Sequence, residues 1–317
     1  MSKIETVLGP IAVTDIGFCL MHEHIVVSNW SMRQNFEDWF NPDTEIPKAI
    51  DELSKAKAKG VDTIVDLTPI NLGRDIDIIR RVAEKTGVNV IAATGFYWNE
   101  EPWMSGWSAT QLAEFMIRDI EVGIHGTSSK AGIIKCATDH PGVTEINRKL
   151  LEAAAITHKH TGVPISTHTC VHNQSGLAQQ DVFEEMGVDL SRVVIGHCGD
   201  TDDIDYLQAI LNRGSYIGMD RFGLDSILPT DKRVQVIAAL CQQGHAGKMV
   251  VSHDACSHID FFSDQQMIEQ FAPNWNFCHI PEDVLPALKK EGVSDTQVNQ
   301  MMVGNPADIF SNHQSYG

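Results

Sequence analysis

Apolar, β-branched runs of strand length alternate with stretches of helical period along most of the chain. Continuous apolar runs are what a strand buried on both faces requires, so the pattern predicts repeated βα units around a parallel sheet. Strands are expected at 18–27, 61–67, 88–94, 131–137, 163–168, 192–197, 215–220 and 248–253. Helices are expected at 47–59, 74–86, 110–123, 144–161, 176–186, 203–213 and 231–243, with more after Pro281. A glycine or turn cluster stands before many strands, as in KAKGVDTIV, EKTGVNVIA, KHTGVPIST and NRGSYIG, where helices should end. Eight repeats point to an α/β fold of the (β/α)8 TIM-barrel type. No linker or composition break divides the chain, so it reads as one catalytic barrel domain, 1–317.

Three connections after strands are long, at 28–45, 95–109 and 254–280. Loops on that face carry the active site of such barrels. Trp30, Trp98, Trp103, Trp107 and Trp275 fall in these loops, and exposed indoles are costly. The rings are therefore expected to pack together or to line an apolar pocket, with Trp98 and Trp275 as pocket residues.

The 24 basic against 42 acidic side chains leave a net charge of -18, which argues against nucleic acid or an anionic membrane as a partner. The first residues lack the pattern of a secretory signal, no apolar run reaches membrane-spanning length, and a cytoplasmic protein is expected. Seven cysteines without CxxC spacing suit reduced thiols. Cys256, two residues past Asp254, is either a small buried thiol or a pocket residue.

The chemistry gathers at strand ends. His22 and His24 flank Glu23 near the end of the first strand, and the period of two sends both imidazoles to one face. An isolated HxH is weak evidence, since buried histidines often only satisfy hydrogen bonds. Recurrence strengthens it: His168 ends the fifth strand, His197 the sixth, and Asp254 follows the eighth. Imidazoles and a carboxylate converging on one barrel mouth form a ligand set for zinc and similar divalent ions. Lys135 ends the otherwise apolar fourth strand, where a buried unpaired ammonium is costly. Either a carboxylate such as Asp254 pairs with it, or carbon dioxide converts it to an anionic carbamate that bridges two metals. The remaining histidines, His125, His158, His160, His245, His279 and His313 among them, lie in helices or peripheral loops and are assigned no role.

The motifs MHEH (21–24), GIIK (132–135), PISTH (164–168), VIGHCGD (194–200), GMDRFG (218–223), VSHD (251–254) and VGNPA (303–307) follow one another along nearly the whole chain. In order and spacing they resemble the phosphotriesterase family of the amidohydrolase superfamily, and among its members the phosphotriesterase-like lactonases. The resemblance implies that His22 and His24 bind the more buried of two divalent metals and His168 and His197 the more exposed one. It implies too that carboxylated Lys135 bridges both and Asp254 completes the buried site. Zinc is the expected metal, with cobalt, iron or manganese as alternatives, and a homodimer is the expected assembly. Tyr97 in ATGFY and Arg221 in MDRFG match positions that those lactonases use at the substrate pocket, whereas the tryptophan-bearing first and third loops depart from the pattern.

The resulting expectation is a lactonase that opens N-acyl homoserine lactones, as in quorum quenching, or related γ- and δ-lactones, with side activity on phosphotriesters and aryl esters. A hydroxide shared by the two metals is the expected nucleophile. Asp254 is expected to move its proton, Tyr97 to donate to the substrate, and Arg221 to orient Asp254 or the substrate or to pair with Asp220 or Asp225. Two alternatives stand beside this one: an enzyme devoted mainly to organophosphates, and a metal-binding barrel without significant catalysis.

Overall fold

A computed structural model describes residues 2–311 and 314–316 of the chain. His313, to which the sequence assigned no role, lies outside them.

The chain opens with an antiparallel hairpin, β1 (Lys3–Thr6) and β2 (Gly9–Ala12). The strands that follow are β3 (Cys19–Val27), β4 (Thr63–Asp66), β5 (Asn89–Gly95), β6 (Ile133–Ala137), β7 (Ile165–His168), β8 (Val193–Ile195), β9 (Tyr216–Met219), β10 (Met249–Val251) and β11 (Cys256–Ile259). These nine are parallel and neighbour one another in the order β10-β9-β8-β7-β6-β5-β4-β3-β11. Because β10 runs on into β11 and β11 pairs with β3, the sheet closes on itself as an eight-staved barrel whose last stave is broken at 252–255.

Each expected strand is present, generally shorter than its apolar run. The eighth, expected at 248–253, ends at Val251, and β11 lies in the stretch expected as a loop; Asp254 between them adopts a left-handed φ of 55°, which takes the backbone out of the ladder. The opening hairpin went unseen because its strands are only four residues long. The first large helix (Pro42–Ala58) begins five residues before the expected start at Pro47. Asn41 caps it, with Oδ1 accepting from the Asp43 N–H at 3.0 Å, and Pro42 takes the first turn, where a missing N–H costs nothing.

Two apolar layers hold the barrel. Met21, Val65, Ile91, Ile133, Val194 and Val250 fill its interior, closed below by Ile4 of the hairpin and by Ile309 and Phe310. Alternate residues such as Ile64, Val90, Ile134 and Ile165 face the helices. On β6 this alternation sends Ile133 inward, Ile134 outward and Lys135 inward, at the top of the packed interior. No helix among the described residues is long and apolar enough to cross a membrane.

Candidate metal centre

β3 carries His22 and His24, β6 carries Lys135, and β7 ends on His168. His197 follows β8, and Asp254 sits in the break between β10 and β11. The register of β3 against β4 shifts between Leu20 and Glu23, so His22 and His24 both enter the mouth while Glu23 turns toward the broken stave. There Glu23 accepts the N–H groups of His253 (3.0 Å) and Ala255 (2.9 Å), holding both neighbours of Asp254. His253 donates from Nδ1 to Glu23 at 2.7 Å and accepts the Ile280 N–H at Nε2, which fixes it as a neutral ring.

Each of the four site imidazoles is anchored through one nitrogen and presents the other inward. Asp220 takes Nδ1 of His22 (3.0 Å) and Nδ1 of His197 (2.8 Å) with its two oxygens. Thr68 Oγ1 holds Nδ1 of His24 at 2.8 Å, and Asp139 holds Nε2 of His168 at 2.9 Å. The free nitrogens converge: His197 Nε2 lies 2.7 Å from His168 Nδ1, and Asp254 Oδ1 lies 3.0 Å from His24 Nε2 and 3.3 Å from His22 Nε2. Lys135 Nζ lies 2.8 Å from His22 Nε2. Lone pairs aimed at one space, each ring held from behind by an oxygen, are the arrangement of metal-ligating histidines.

The protonation states agree. Burial pushes His168 down to about 4, depresses His197 well below the usual imidazole value, and lowers His22, where Lys135 adds to the effect. These rings are neutral near pH 7, as ligands must be. Burial alone would raise Asp254, but His22, His197, His24 and Arg221 hold its carboxyl well below the ordinary range. Burial also pushes the Lys135 amine down to about 8. The expected alternative, an ion pair between Lys135 and Asp254, is not what is found. Asp254 is engaged by His24, His22 and Arg221, and no carboxylate among the described residues comes within ion-pair distance of Lys135. Neutral imidazoles, an ionised carboxylate and an amine near its own pKa fit a pair of divalent cations.

Arg221, itself at φ 66°, donates from Nε to Asp254 Oδ2 (3.0 Å) and from Nη1 to Asp200 Oδ2 (2.9 Å). It pairs with neither Asp220 nor Asp225. Asp200 is held in turn by the fully buried Arg233 at 3.0 Å. Tyr97 stacks edge-on against His168, its hydroxyl 3.5 Å from Nδ1, and burial raises the pKa of the phenol, which therefore stays protonated.

Above the mouth, Tyr97, Trp98, Leu72, Phe261, Asn71 and Asp139 are among the residues around a cavity of about 460 Å³. Cys256 and Trp275 line a different cavity of about 190 Å³. All three of Tyr97, Cys256 and Trp275 pack on one small apolar cluster of Val27, Leu72 and Ile259. Apart from Trp98, the loop tryptophans do not collect over the site. Trp30, Trp39, Trp103 and Trp107 remain exposed, Trp30 beneath the Arg33 guanidinium and Trp107 against Phe115. All seven cysteines are unpaired.

Sequence reasoning missed Asp139, Thr68, Asp200 and Arg233, and named Asp220 only as an alternative partner of Arg221, not as the anchor of two imidazoles. Asp200 and Asp220 stood inside the GHCGD and GMDRFG motifs, and Arg233 is a charge on the buried face of a helix (Thr230–Gln242).

A family model described as the phosphotriesterase family matches residues 2–310. A phosphotriesterase homology protein of Mycobacterium tuberculosis is 48% identical over 326 residues, covering 100% of both chains. An aryldialkylphosphatase of Saccharolobus solfataricus is 42% identical over 300 residues, covering 94% of this chain and 96% of its own. The solved structure of the phosphotriesterase from Mycobacterium tuberculosis superposes with a TM-score of 0.96 at 47% identity, covering 99% of this chain and 100% of that one.

Proposed function

Because this chain belongs to the phosphotriesterase family and is a metal-dependent hydrolase, we propose that it is a lactonase. Its substrates would be N-acyl homoserine lactones or related γ- and δ-lactones, with phosphotriesters and aryl esters as secondary ones. His22, His24, Lys135, His168, His197 and Asp254 are the proposed ligands of two cations. The imidazole and carboxylate donors favour zinc, with cobalt, iron or manganese able to replace it. Two such cations supply a nucleophile at neutral pH, by acidifying water, and polarise the ester carbonyl.

The chain's own side chains do the rest. Asp254, kept ionised and aimed by Arg221 Nε and His24 Nε2, accepts the proton of the attacking water. As the new C–O bond forms and the ring C–O bond breaks, it returns that proton to the leaving alkoxide, giving the hydroxy acid. Tyr97 donates from its protonated phenol to the oxygen on which charge develops. Trp98, Leu72 and Phe261 offer the acyl chain an apolar wall, while Asn71 and Asn99 in the same cavity offer polar contacts. Cys256 and Trp275 shape the far side of the apolar cluster on which Tyr97 packs.

The observation that carries this reading is the mixed apolar and amide lining of a cavity that reaches Tyr97 and Asp139, each in contact with His168. The name of the Saccharolobus relative favours a second reading, hydrolysis of phosphotriesters as the main activity. Metal-loaded protein should be assayed on acyl homoserine lactones, simple lactones, an aryl ester and paraoxon, with Asp254→Ala as control. Chain-length-dependent opening of acyl homoserine lactones as the dominant activity supports the first reading; dominant paraoxon turnover replaces it with the second.

The unpaired thiols suit a reducing compartment such as the cytoplasm. The exposed Trp30 and Trp103, which border one open cavity, provide apolar surface suited to a homodimer, which light scattering would test.

A further inference from the structure

The turn after β6 and the turn after β7 meet at the rim of the barrel. Asp139, His140 and Cys170 there place a carboxylate oxygen, a ring nitrogen and a sulfur within 4.8 Å of one another. None of the three is among the six proposed ligands, although Asp139 touches His168 from behind.

The backbones that carry them are pinned. Asn173 Nδ2 donates to the carbonyls of Asp139 (3.0 Å) and His140 (3.2 Å), and the Gly142 N–H closes the turn on Asp139 at 2.7 Å. The Cys170 N–H donates to Ser175 Oγ at 2.8 Å. Cys170 Sγ and His140 Nδ1 are thereby held 3.6 Å apart. A tetrahedral zinc, with bonds of about 2.3 Å to sulfur and about 2.0–2.1 Å to nitrogen, separates two such ligand atoms by roughly 3.6 Å. Cys170 is buried and His140 is exposed, so a cation between them would keep one position open to water. Thiolate, imidazole and carboxylate together select zinc-like soft cations over magnesium or calcium.

We propose that Asp139, His140 and Cys170 form a third, inhibitory site for a soft divalent cation. On binding, the thiol proton of Cys170 leaves to solvent, and Sγ, His140 Nδ1 and a carboxylate oxygen of Asp139 take the ion. Asp139 is also the acceptor for His168 Nε2 and a wall of the substrate cavity, so occupancy disturbs the anchor of a catalytic imidazole and the approach to it. The inhibition rests on the role proposed above for His168; the binding does not.

The test starts from holoenzyme loaded with two cobalt ions per chain and titrated with more. The third equivalent should bring a thiolate-to-cobalt charge-transfer absorption, with activity falling in step. The band should vanish in Cys170→Ser and weaken in His140→Ala, and in both the third ion should bind about tenfold or more weakly. Basal turnover and the first two ions should be unchanged. No thiolate band at the third equivalent, or a band that persists in Cys170→Ser, overturns the site. A band without inhibition overturns its inhibitory role. Failure of the two-ion enzyme to hydrolyse any ester would instead defeat the proposed function, while the band still reports on this site.

Discussion

Lys135 Nζ lies 2.8 Å from His22 Nε2 inside the barrel, and both residues are buried. With its amine pushed down to about 8, Lys135 has a usable fraction of free base near neutrality. Free amine adds carbon dioxide, forming a C–N bond and losing a proton to give a carbamate. Lys135→Met keeps the volume and removes the nitrogen. We expect fewer than two tightly bound metals per chain and a loss of turnover of about a hundredfold or more, beyond the 10–100-fold effect of supporting groups. Protein prepared with ¹³C-bicarbonate should show a carbamate carbon resonance that the variant lacks. A variant with two tight metals and full activity would remove Lys135 from the centre.

Asp220 uses one oxygen for His22 and the other for His197, so on the proposed ligand assignment a single carboxylate would aim one imidazole at each cation. Asp220→Ala, which keeps neither acceptor, should weaken the binding of both metals by about 10–100-fold, whereas Thr68→Val, which releases His24 alone, should weaken one. Chelator competition separates the two patterns, and equal effects from both variants would contradict the shared anchor.

The barrel was legible in the chain because strands buried on both faces leave continuous apolar runs, and because Lys135 interrupts such a run with a charge. The histidines proposed as ligands were legible from their common place at strand ends. Their anchors were not: Asp220 and His22 are 198 residues apart, and nothing local joins them. Nor could the sequence show that His197, Arg221 and Asp254 all take left-handed backbone, at φ 58°, 66° and 55°. Such conformations are costly for residues other than glycine and persist where surrounding contacts enforce them. Trp30, Trp103 and Trp107 misled because a large ring can be tolerated at the surface, as Trp30 is beneath Arg33.

Tyr97 touches the centre only through its hydroxyl and the edge of its ring. Tyr97→Phe keeps the packing and deletes the donor. For lactones, whose poor leaving group leaves charge on oxygen, kcat should fall by about 100-fold with little change in KM. Paraoxon, with a better leaving group, should lose less. A rise in KM at constant kcat would show that the tyrosine serves only binding.

Glu23 accepts two backbone N–H groups and the His253 ring, all buried. In Glu23→Gln the amide nitrogen must face a donor whichever way it turns, at a cost of about 1–3 kcal/mol. Because those donors flank Asp254, the loss should appear in thermal stability and also as weaker metal binding. Unchanged metal affinity in a destabilised variant would limit Glu23 to a structural part.

Glu52 lies partly buried on the Pro42–Ala58 helix, beside Cys256 and Trp275 at the smaller cavity. Burial raises its pKa above 4.5, against the opposing pull of Ser257 and Lys48. Between the unfolded and the raised folded value the native state holds more protons, so stability falls as pH rises through that window and the deficit is complete above it. Glutamine mimics the protonated acid at every pH. Glu52→Gln should therefore melt above the wild type at pH 7, with the difference shrinking as pH falls toward 4. Melting curves across that range check the sign, and a variant less stable than the wild type at pH 7 would show that the Lys48 and Ser257 contacts outweigh the burial.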